Sequence, residues 1–295
     1  MSTDSTLEKN MSNPDAPFFV LGAARSGTTM FRLMLNRHPR LAIPFESHFM
    51  MGMLRELPFD RPLLGSETER FIQLVITEKN FASWHLSPRQ VRDKIESMSP
   101  GMMSDLIDAL FRMEIADTGK PRWGDKTPMY YTCWRPLMNL FPNSRVIHII
   151  RDGRDVCQSL EKLDWHGPTN QDRAKYWRDR VEIAYQAQAE FGTDRQYIVR
   201  YEDLVTDTRA TLINVCEFLE ESYEPSMMSF FEDASDHMSD IDGDIHRKVH
   251  RQPSEQDIYR WRHNMSTSSQ QQFEMIAGCA LRQMNYECLF SSAAS

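Results

Sequence analysis

A short apolar segment that ends at a glycine-bearing turn is the feature that most constrains the fold of this chain. Residues 18–21 read Phe-Phe-Val-Leu, and Gly22 and Gly27 follow within a stretch of small and polar residues. Such a run predicts a strand buried on both faces of a parallel sheet, because a half-exposed strand would alternate apolar and polar residues. Apolar residues then recur at helical spacing up to Pro39, which marks the end of a helix. The chain therefore opens with a strand, a glycine-bearing loop and a helix.

The strand-then-helix order recurs twice further along the chain. Apolar runs at 145–150 and 196–201 predict a second and a third strand, and helical spacing follows each of them. This order predicts an α/β fold, in which a P-loop-like parallel sheet is flanked by helices and ligands bind at the carboxyl ends of the strands. We expect a disordered N-terminal tail over residues 1–16 and a single domain over 17–295, with a helical insert at about 47–120.

The composition limits the classes of partner. Of the 295 residues, 41% are hydrophobic and 26% are charged, which is ordinary for a globular protein, and the formal net charge is −8. Because sequence-independent binding to nucleic acid or to an anionic membrane needs a surplus of Lys and Arg, we expect neither partner. An anionic ligand would therefore need a local basic pocket.

The cysteines and the hydropathy pattern bear on location. The five cysteines form no C-x-x-C pair and are odd in number, so they suit neither a disulfide framework nor a zinc site. We therefore expect a reduced, cytoplasmic setting. No apolar stretch reaches the roughly 18 residues of a membrane-spanning helix, and the first residues lack the apolar core of a signal peptide. We expect no transmembrane segment, and we allow for a homodimer.

The first loop has the G-x-x-x-x-G spacing of a phosphate-binding loop. Backbone N–H groups of the loop and of the following helix start would point at an anion, and the helix dipole favours negative charge there. Arg25 adds a fork of charged donors, and Thr28 and Thr29 add hydroxyl groups. Nucleotide kinases carry Lys where this chain has Thr28, so the loop suits a donor with a short phosphate chain. The alternative is a chance spacing in a turn.

The same loop resembles a loop of a known protein family. It is similar to the 5′-phosphosulfate loop of sulfotransferases that use 3′-phosphoadenosine-5′-phosphosulfate (PAPS), especially the tyrosylprotein sulfotransferases and their bacterial relatives, in the run Arg25-Ser26-Gly27-Thr28-Thr29. The resemblance implies a sulfotransferase fold, cofactor binding by this run, PAPS as donor and adenosine 3′,5′-bisphosphate (PAP) as product, with no metal. Cytosolic small-molecule members usually carry Lys at the position of Arg25.

A second motif lies at the end of the second predicted strand. Arg151 ends that strand where a nucleotide kinase would have an aspartate, and Ser159 follows eight positions later. This arrangement is similar to the 3′-phosphate motif of the same family, which implies that Arg151 and Ser159 both bind the 3′-phosphate of PAPS. From the residues alone, an Arg paired with a neighbouring Asp on a solvated turn is the alternative.

Three further cofactor contacts rest on the resemblance. Tyr201, at the end of the third predicted strand, is similar to a family Tyr that lies near the nucleotide. The family often has a basic loop that covers the 3′-phosphate, and Arg247 and Lys248 are the basic residues of a polar loop at the matching place. This chain lacks the glycine-bearing form of that loop, so a solvated charge run is an equal alternative.

Glu46 is the candidate general base. Sulfuryl transfer to an alcohol needs a base that takes the hydroxyl proton, and Glu46 follows Arg25 by 21 residues, the spacing at which tyrosylprotein sulfotransferases have their catalytic Glu. A Glu beside apolar residues suggests a raised pKa or a fixed cationic partner. The alternative is a surface carboxylate that caps the next helix. His48, where relatives carry Arg, is a second candidate base or an acceptor contact.

Lys126 is the candidate that stabilises the leaving group. It lies in Trp-Gly-Asp-Lys-Thr-Pro, which resembles the G-[DE]-K-T-P segment of bacterial sulfotransferases. The resemblance implies that Lys126 approaches the bridging oxygen, with Arg25 sharing the task, because negative charge develops there during transfer. An exposed Lys at a helix start is the alternative.

The acceptor is not specified by any motif. The helical insert carries aromatic residues and methionines, so we expect an acceptor cleft that includes Phe45 and Phe49 together with His48. A small-molecule or glycolipid hydroxyl is the first expectation, because a negatively charged protein would repel an acidic peptide, and peptide tyrosine is the second. A P-loop kinase that uses ATP and Mg²⁺, and a nucleotide-sensing module without catalysis, are the competing classes.

Overall fold

Five parallel strands form the central sheet. The computed structural model describes residues 13–163, 166–232 and 251–290. Its strand order is β2-β3-β1-β4-β5, so the first strand lies in the middle. The strands are β1 Phe18–Gly22, β2 Leu41–Ala42, β3 Arg122–Asp125, β4 Arg145–Ile150 and β5 Gln196–Arg200.

Helices make up most of the remaining described chain. The α-helices are α1 Thr28–Asn36, α2 Phe49–Glu56, α3 Ser66–Ile76, α4 Pro88–Ser97, α5 Met103–Glu114, α6 Trp134–Leu140, α7 Gly153–Glu161, α8 Asn170–Phe191, α9 Tyr201–Thr206, α10 Thr208–Leu219, α11 Trp261–Asn264 and α12 Thr267–Gln283. Short 3₁₀ helices lie at Lys79–Ser83, Ala116–Thr118, Pro128–Cys133, Pro225–Ser229 and Glu255–Asp257. Within the described ranges, no helix combines the length and the apolar character needed to cross a bilayer.

The sheet is covered on both faces, and β1 shows why. Phe18 and Val20 belong to an apolar cluster with α1, α9 and α10, whereas Phe19 and Leu21 belong to a second cluster with helices α2 to α6. A third cluster joins α7, α8 and α12. Because side chains alternate between the faces of a strand, burial on both faces requires the continuous apolar run seen in β1. The predicted α/β fold is confirmed.

Two strands were missing from the sequence prediction. β2 has only two residues, and β3 reads Arg-Trp-Gly-Asp, which carries no apolar run even though all four residues are buried. The polar residues of β3 find partners inside the protein: Arg122 Nε donates to the Ala16 carbonyl at 2.7 Å, and its Nη1 pairs with Glu221 at 3.2 Å. Polar partners that come from elsewhere in the chain explain why hydropathy did not reveal this strand.

The ends of the predicted segments differ in detail. Residues 13–16 of the predicted tail contact the body of the protein: Ala16 is buried, and Asp15 pairs with Arg40 at 2.8 Å. Between 47 and 120 the described regular elements are helical, and α4 begins at a capping box, in which Ser87 and Gln90 bond reciprocally. Residues 1–12 of the predicted tail lie outside the described residues.

Candidate active site

The loop between β1 and α1 depends on two close approaches at its glycines. A Cβ atom on Gly22 would lie 2.8 Å from the Ile149 carbonyl oxygen, and one on Gly27 would lie 2.5 Å from the ring of Tyr201. Gly27 also has φ +89°, which side-chain-bearing residues rarely adopt. The loop therefore lies directly against the ends of β4 and β5, which places Tyr201 at the loop. The predicted contact of Tyr201 with the nucleotide stays a prediction.

The start of α1 offers donors that suit an anion. Helix α1 begins at Thr28, and no side chain caps its first turn. Ser26 is fully buried, and its Oγ hydrogen-bonds to no other described residue. A buried hydroxyl without a partner is costly, whereas an anion at the start of the helix would satisfy it together with the first backbone N–H groups. Thr28 and Thr29 are also buried at this position.

The two predicted cofactor motifs meet at Arg25. Its Nε donates to Ser159 Oγ at 3.0 Å, and its carbonyl lies 3.4 Å from Arg151 Nη1. Burial lowers the pKa of the Arg25 guanidinium, and the charge of Arg151 lowers it further. Two partly buried arginines whose charges act on each other favour a nearby anion.

Arg151 has more protein partners than the sequence suggested. Its Nη2 pairs with Asp155 at 3.0 Å and donates to the Asp257 carbonyl at 2.8 Å, while its guanidinium lies 4.8 Å from the centre of the Tyr201 ring. The pairing with a neighbouring Asp is thus present, but the pair is buried rather than on a solvated turn. The Nε of Arg151 is buried and bonds to no other described residue.

Glu46 and Lys126 form an ion pair at the same edge of the sheet. Lys126 follows β3 and is only 4% exposed, and its Nζ donates to Glu46 Oε1. The other carboxylate oxygen, Oε2, lies 2.9 Å from Nε2 of His48. Burial alone would raise the pKa of Glu46, but the charge of Lys126 and the hydrogen bonds from His48 and Lys126 outweigh it and hold the pKa at about 2. Of the two alternatives for Glu46, the fixed cationic partner is the one found.

A family model covers most of the chain that carries these groups. Residues 17–225 match the model described as the sulfotransferase family, a span that contains both phosphate motifs, Glu46 and Lys126. This chain belongs to the sulfotransferase family. Membership confirms the resemblance inferred from the sequence and favours it over the kinase alternative.

Curated relatives of this sulfotransferase include enzymes named for protein tyrosine. A protein-tyrosine sulfotransferase of Drosophila melanogaster is 25% identical over 236 residues, which is 77% of this chain and 42% of that protein. Protein-tyrosine sulfotransferase 2 of Gallus gallus is 28% identical over 221 residues, which is 71% of this chain and 52% of that protein. The chain thus spans about half the length of these curated relatives.

Solved structures share the fold of this sulfotransferase. The sulfotransferase domain of the Synechococcus PCC 7002 olefin synthase superposes with a TM-score of 0.64 at 24% identity, over 92% of this chain and 95% of that domain. The sulfotransferase domain of the curacin biosynthetic pathway gives 0.60 at 22% identity, over 93% and 98%. Mouse sulfotransferase SULT7A1, which was solved with PAP, gives 0.52 at 13% identity, over 91% and 85%. The predicted sulfotransferase fold is confirmed.

The helical insert positions the Glu46 segment of this sulfotransferase, a role that sequence reasoning did not assign. Trp84 Nε1 donates to the Phe45 carbonyl at 3.1 Å, and Asn80 Nδ2 lies 3.5 Å from the Glu46 carbonyl. Phe45 is half-buried, whereas Phe49 packs in the core against Trp84 with ring centres 5.3 Å apart. The predicted contacts of Phe45 and Phe49 with an acceptor stay predictions.

Tyr176 is a loop contact that sequence reasoning also missed. Its hydroxyl accepts a hydrogen bond from the Ala24 N–H at 3.0 Å, although it lies on α8, far along the chain. Nothing in its sequence context separates Tyr176 from other residues on the buried side of α8. Arg247 and Lys248 lie outside the described residues, so their predicted contact with the 3′-phosphate stays a prediction.

In the ranges 13–163, 166–232 and 251–290, no three His, Cys, Asp or Glu residues lie together in a way that could hold a metal ion. The expectation of a metal-free mechanism therefore remains a prediction.

Proposed function

We propose that this sulfotransferase transfers the sulfuryl group of PAPS to an acceptor hydroxyl. The observation that carries the proposal is the joining of the two phosphate motifs, since Arg25 bonds to Ser159 at 3.0 Å and Gly27 lies against Tyr201. One nucleotide with a phosphate at each end of its ribose would contact both motifs.

The residues at the loop fit such a nucleotide. The buried Ser26 hydroxyl lacks a partner among the described residues, and the helix start at Thr28 has no side-chain cap. Arg25 and Arg151 supply positive charge, and the Tyr201 ring supplies a flat surface beside Arg151. We assign Gly27, Thr28 and the hydroxyl groups around them to the 5′ end, and Arg151 with Ser159 to the 3′-phosphate.

Glu46 and Lys126 perform the chemistry in this proposal. PAPS supplies the sulfuryl group and a phosphate that can leave. Lys126 stabilises the negative charge that develops on the leaving oxygen, and Glu46 accepts the proton of the acceptor hydroxyl. The bond between the acceptor oxygen and sulfur forms as the bond between sulfur and the phosphate oxygen breaks, in line. The ion pair must open for this, and its opening makes Glu46 a stronger base because the charge of Lys126 is what lowers its pKa.

The acceptor class forms the finer part of the proposal. A small-molecule, lipid or carbohydrate hydroxyl is our first choice, supported by the net charge of −8, which would repel an acidic peptide, and by the half-buried Phe45 beside Glu46. Peptide tyrosine is the second choice, and the names of the curated relatives favour it. Mass spectrometry of pooled phenols, aliphatic alcohols, glycolipids and tyrosine peptides after incubation with PAPS would separate the two.

Binding and turnover test the proposal separately. Calorimetry should detect PAP binding and no comparable binding of ATP with Mg²⁺. Glu46→Gln should keep the PAP affinity and lose about 10²- to 10⁴-fold in turnover, because the base is gone while the nucleotide site is intact. Preferential binding of ATP with Mg²⁺ would overturn the donor assignment, and unchanged turnover of the variant would remove Glu46 from the mechanism.

We also propose a cytoplasmic location and a homodimer, and each has its own test. The odd cysteine count led us to expect a cytoplasmic protein, and cell fractionation tests it. A homodimer is tested by sedimentation of the purified chain.

A further inference from the structure

Two tripeptides face each other at the catalytic edge of the sheet. One is 46–48, which precedes α2, and the other is 125–127, which follows β3. Three hydrogen bonds join them: Lys126 Nζ to Glu46, Ser47 Oγ to Asp125 Oδ2, and the Ser47 N–H to Thr127 Oγ1 at 3.2 Å. Ser47 directly follows the proposed base, Glu46, and Asp125 directly precedes the proposed cation, Lys126. Ser47 and Asp125 thus form a second, buried pair beside the first.

Two hydroxyl groups donate to the Asp125 carboxylate. Thr127 Oγ1 donates to Asp125 Oδ1 at 2.8 Å, and Ser47 Oγ donates to Oδ2. Because Ser47 uses its only proton in this bond, its contact with the Tyr130 hydroxyl has Tyr130 as donor. Ionised Asp125 accepts both hydroxyl protons, and a protonated Asp125 would require at least one of them to turn away.

The residues of this hydrogen-bond network are almost completely buried. Ser47, Asp125, Thr127 and Tyr130 are each no more than 1% exposed. A buried carboxylate is costly unless its partners are well placed, and apolar residues could have joined the two segments without that cost. A fully satisfied buried network fixes a single geometry, and here the geometry that it fixes is the placement of Glu46 opposite Lys126.

We propose that Ser47 and Asp125 are positioning residues of this sulfotransferase, and that turnover requires Asp125 to be ionised. The inference rests on the proposed function, since it assigns the role of holding Glu46 and Lys126 in register for sulfuryl transfer. Neither residue contacts the reacting atoms in this account.

The environment of Asp125 gives the inference a pH signature. Burial raises the pKa of Asp125 to about 6, against the opposing hydrogen bonds from Ser47 and Thr127. In the free enzyme the ion pair is closed, and the pKa of Glu46, at about 2, is too low to cause a fall in activity in the same range. The acid limb, meaning the fall in activity at low pH, is therefore measured in kcat/KM, which reports the free enzyme. We expect kcat/KM to fall as the pH drops through about 6. The titratable or charged groups that face Asp125 or lie beside it are Glu46, His48, Lys126, Tyr130 and Cys133.

Variants of the buried pair test the role. Ser47→Ala removes a hydrogen bond that lowers the pKa of Asp125, so we expect the midpoint of the acid limb to move to higher pH and turnover to fall about 10- to 100-fold. Ser47→Thr keeps the hydroxyl and should restore the midpoint. Asp125→Asn should abolish the limb at a low, constant turnover. His48→Gln should keep the limb, with its midpoint at slightly higher pH, because the charge of His48 also lowers the pKa of Asp125. Loss of the limb in this variant would contradict its assignment to Asp125.

The measurements are release of PAP from PAPS with the phenol or alcohol that wild-type enzyme uses best, and PAP affinity by calorimetry. Thr132→Val, at an exposed hydroxyl of the neighbouring 3₁₀ helix, is the control and should match wild type. Thermal melts identify any variant that fails to fold. If a variant does not fold, a ¹³C NMR titration of Asp125 in wild type serves as the test instead, and we expect a midpoint near 6.

The outcomes distinguish failure of the positioning role from failure of the proposed function. An acid limb that does not move in Ser47→Ala, or an Asp125 that titrates far from the limb, would overturn the positioning role while the proposed function stands. If wild type binds no PAP and releases none from PAPS, the proposed function fails, and the positioning role fails with it. A shifted limb with a PAP affinity within about twofold of wild type supports the inference.

Discussion

The pKa of Glu46 is determined by its neighbours rather than by its residue type. Its carboxylate lies between Lys126 and His48, and burial and ion pairing act on its pKa in opposite directions. The sequence predicted Glu46 and Lys126 as separate candidates from two motifs, and the structure brings them into contact. The sequence contained no signal for Ser47, because the partner of this serine, Asp125, lies 78 positions away.

Substitution of Lys126 tests the pairing at the residue scale. In Lys126→Met the charge and the hydrogen bond that lower the pKa of Glu46 are lost, whereas burial, which raises it, remains. We expect the pKa of Glu46 to rise from about 2, and turnover to fall about 10²- to 10³-fold. A ¹³C NMR titration of labelled Glu carboxylates measures the pKa. Lys175→Met, on the exposed side of α8, is the matched control, and a Glu46 that still titrates near 2 in Lys126→Met would contradict the pairing.

At the scale of elements, the strands with apolar runs were predictable and the others were not. β1, β4 and β5 lie where hydropathy placed them, because the apolar side chains of each strand pack in clusters with the flanking helices. β3 was not predicted because Arg122 and Asp125 form hydrogen bonds with partners that are distant in sequence. β2 was not predicted because two residues are too few to show a hydrophobic pattern. The strand ends nevertheless converge as a parallel sheet requires, so motifs found one by one form one site.

The loop between β1 and α1 gives a prediction for an element. Gly27→Ala would place a methyl group 2.5 Å from the Tyr201 ring at φ +89°, so the loop or the ring must move. We expect PAP affinity to fall more than about tenfold, and the free energy of unfolding to fall by about 1–2 kcal/mol from the backbone conformation alone. Gly119→Ala is the matched control, since φ is +66° there and nothing lies within 4 Å of the new Cβ. Equal PAP affinities for the two variants would show that the contact with Tyr201 is not required.

At the scale of the whole molecule, the C-terminal segment is tied to the cofactor loops through buried charge. Glu202 accepts hydrogen bonds from the Asp152 N–H at 3.0 Å and from the Tyr286 hydroxyl at 2.7 Å. Glu274 on α12 pairs with Arg154 at 3.1 Å, and Arg154 pairs in turn with Asp152 at 2.8 Å. Residues that follow Arg151 and Tyr201 are thereby fixed by the end of the chain, which no local pattern in the sequence indicated.

This network predicts a pH-dependent stability. Burial raises the pKa of Glu202 to about 7, against the opposing bonds from Asp152 and Tyr286. The folded state therefore holds this proton more tightly than the unfolded state, so the contribution of Glu202 to stability is present at low pH and is lost as the pH rises through about 7. Urea unfolding of wild type should give a free energy of unfolding that falls between about pH 4.5 and pH 7 and levels off above that range. Glu202→Gln should flatten this dependence, and an unchanged slope would exclude Glu202 as its source.

A crystal structure with PAP would show whether both phosphate motifs bind one nucleotide. We expect the 5′-phosphate at the backbone N–H groups of Gly27 and Thr28, the 3′-phosphate at Arg151 and Ser159, and the base near Tyr201. A PAP molecule bound elsewhere, or one that contacts only one of the two motifs, would contradict it.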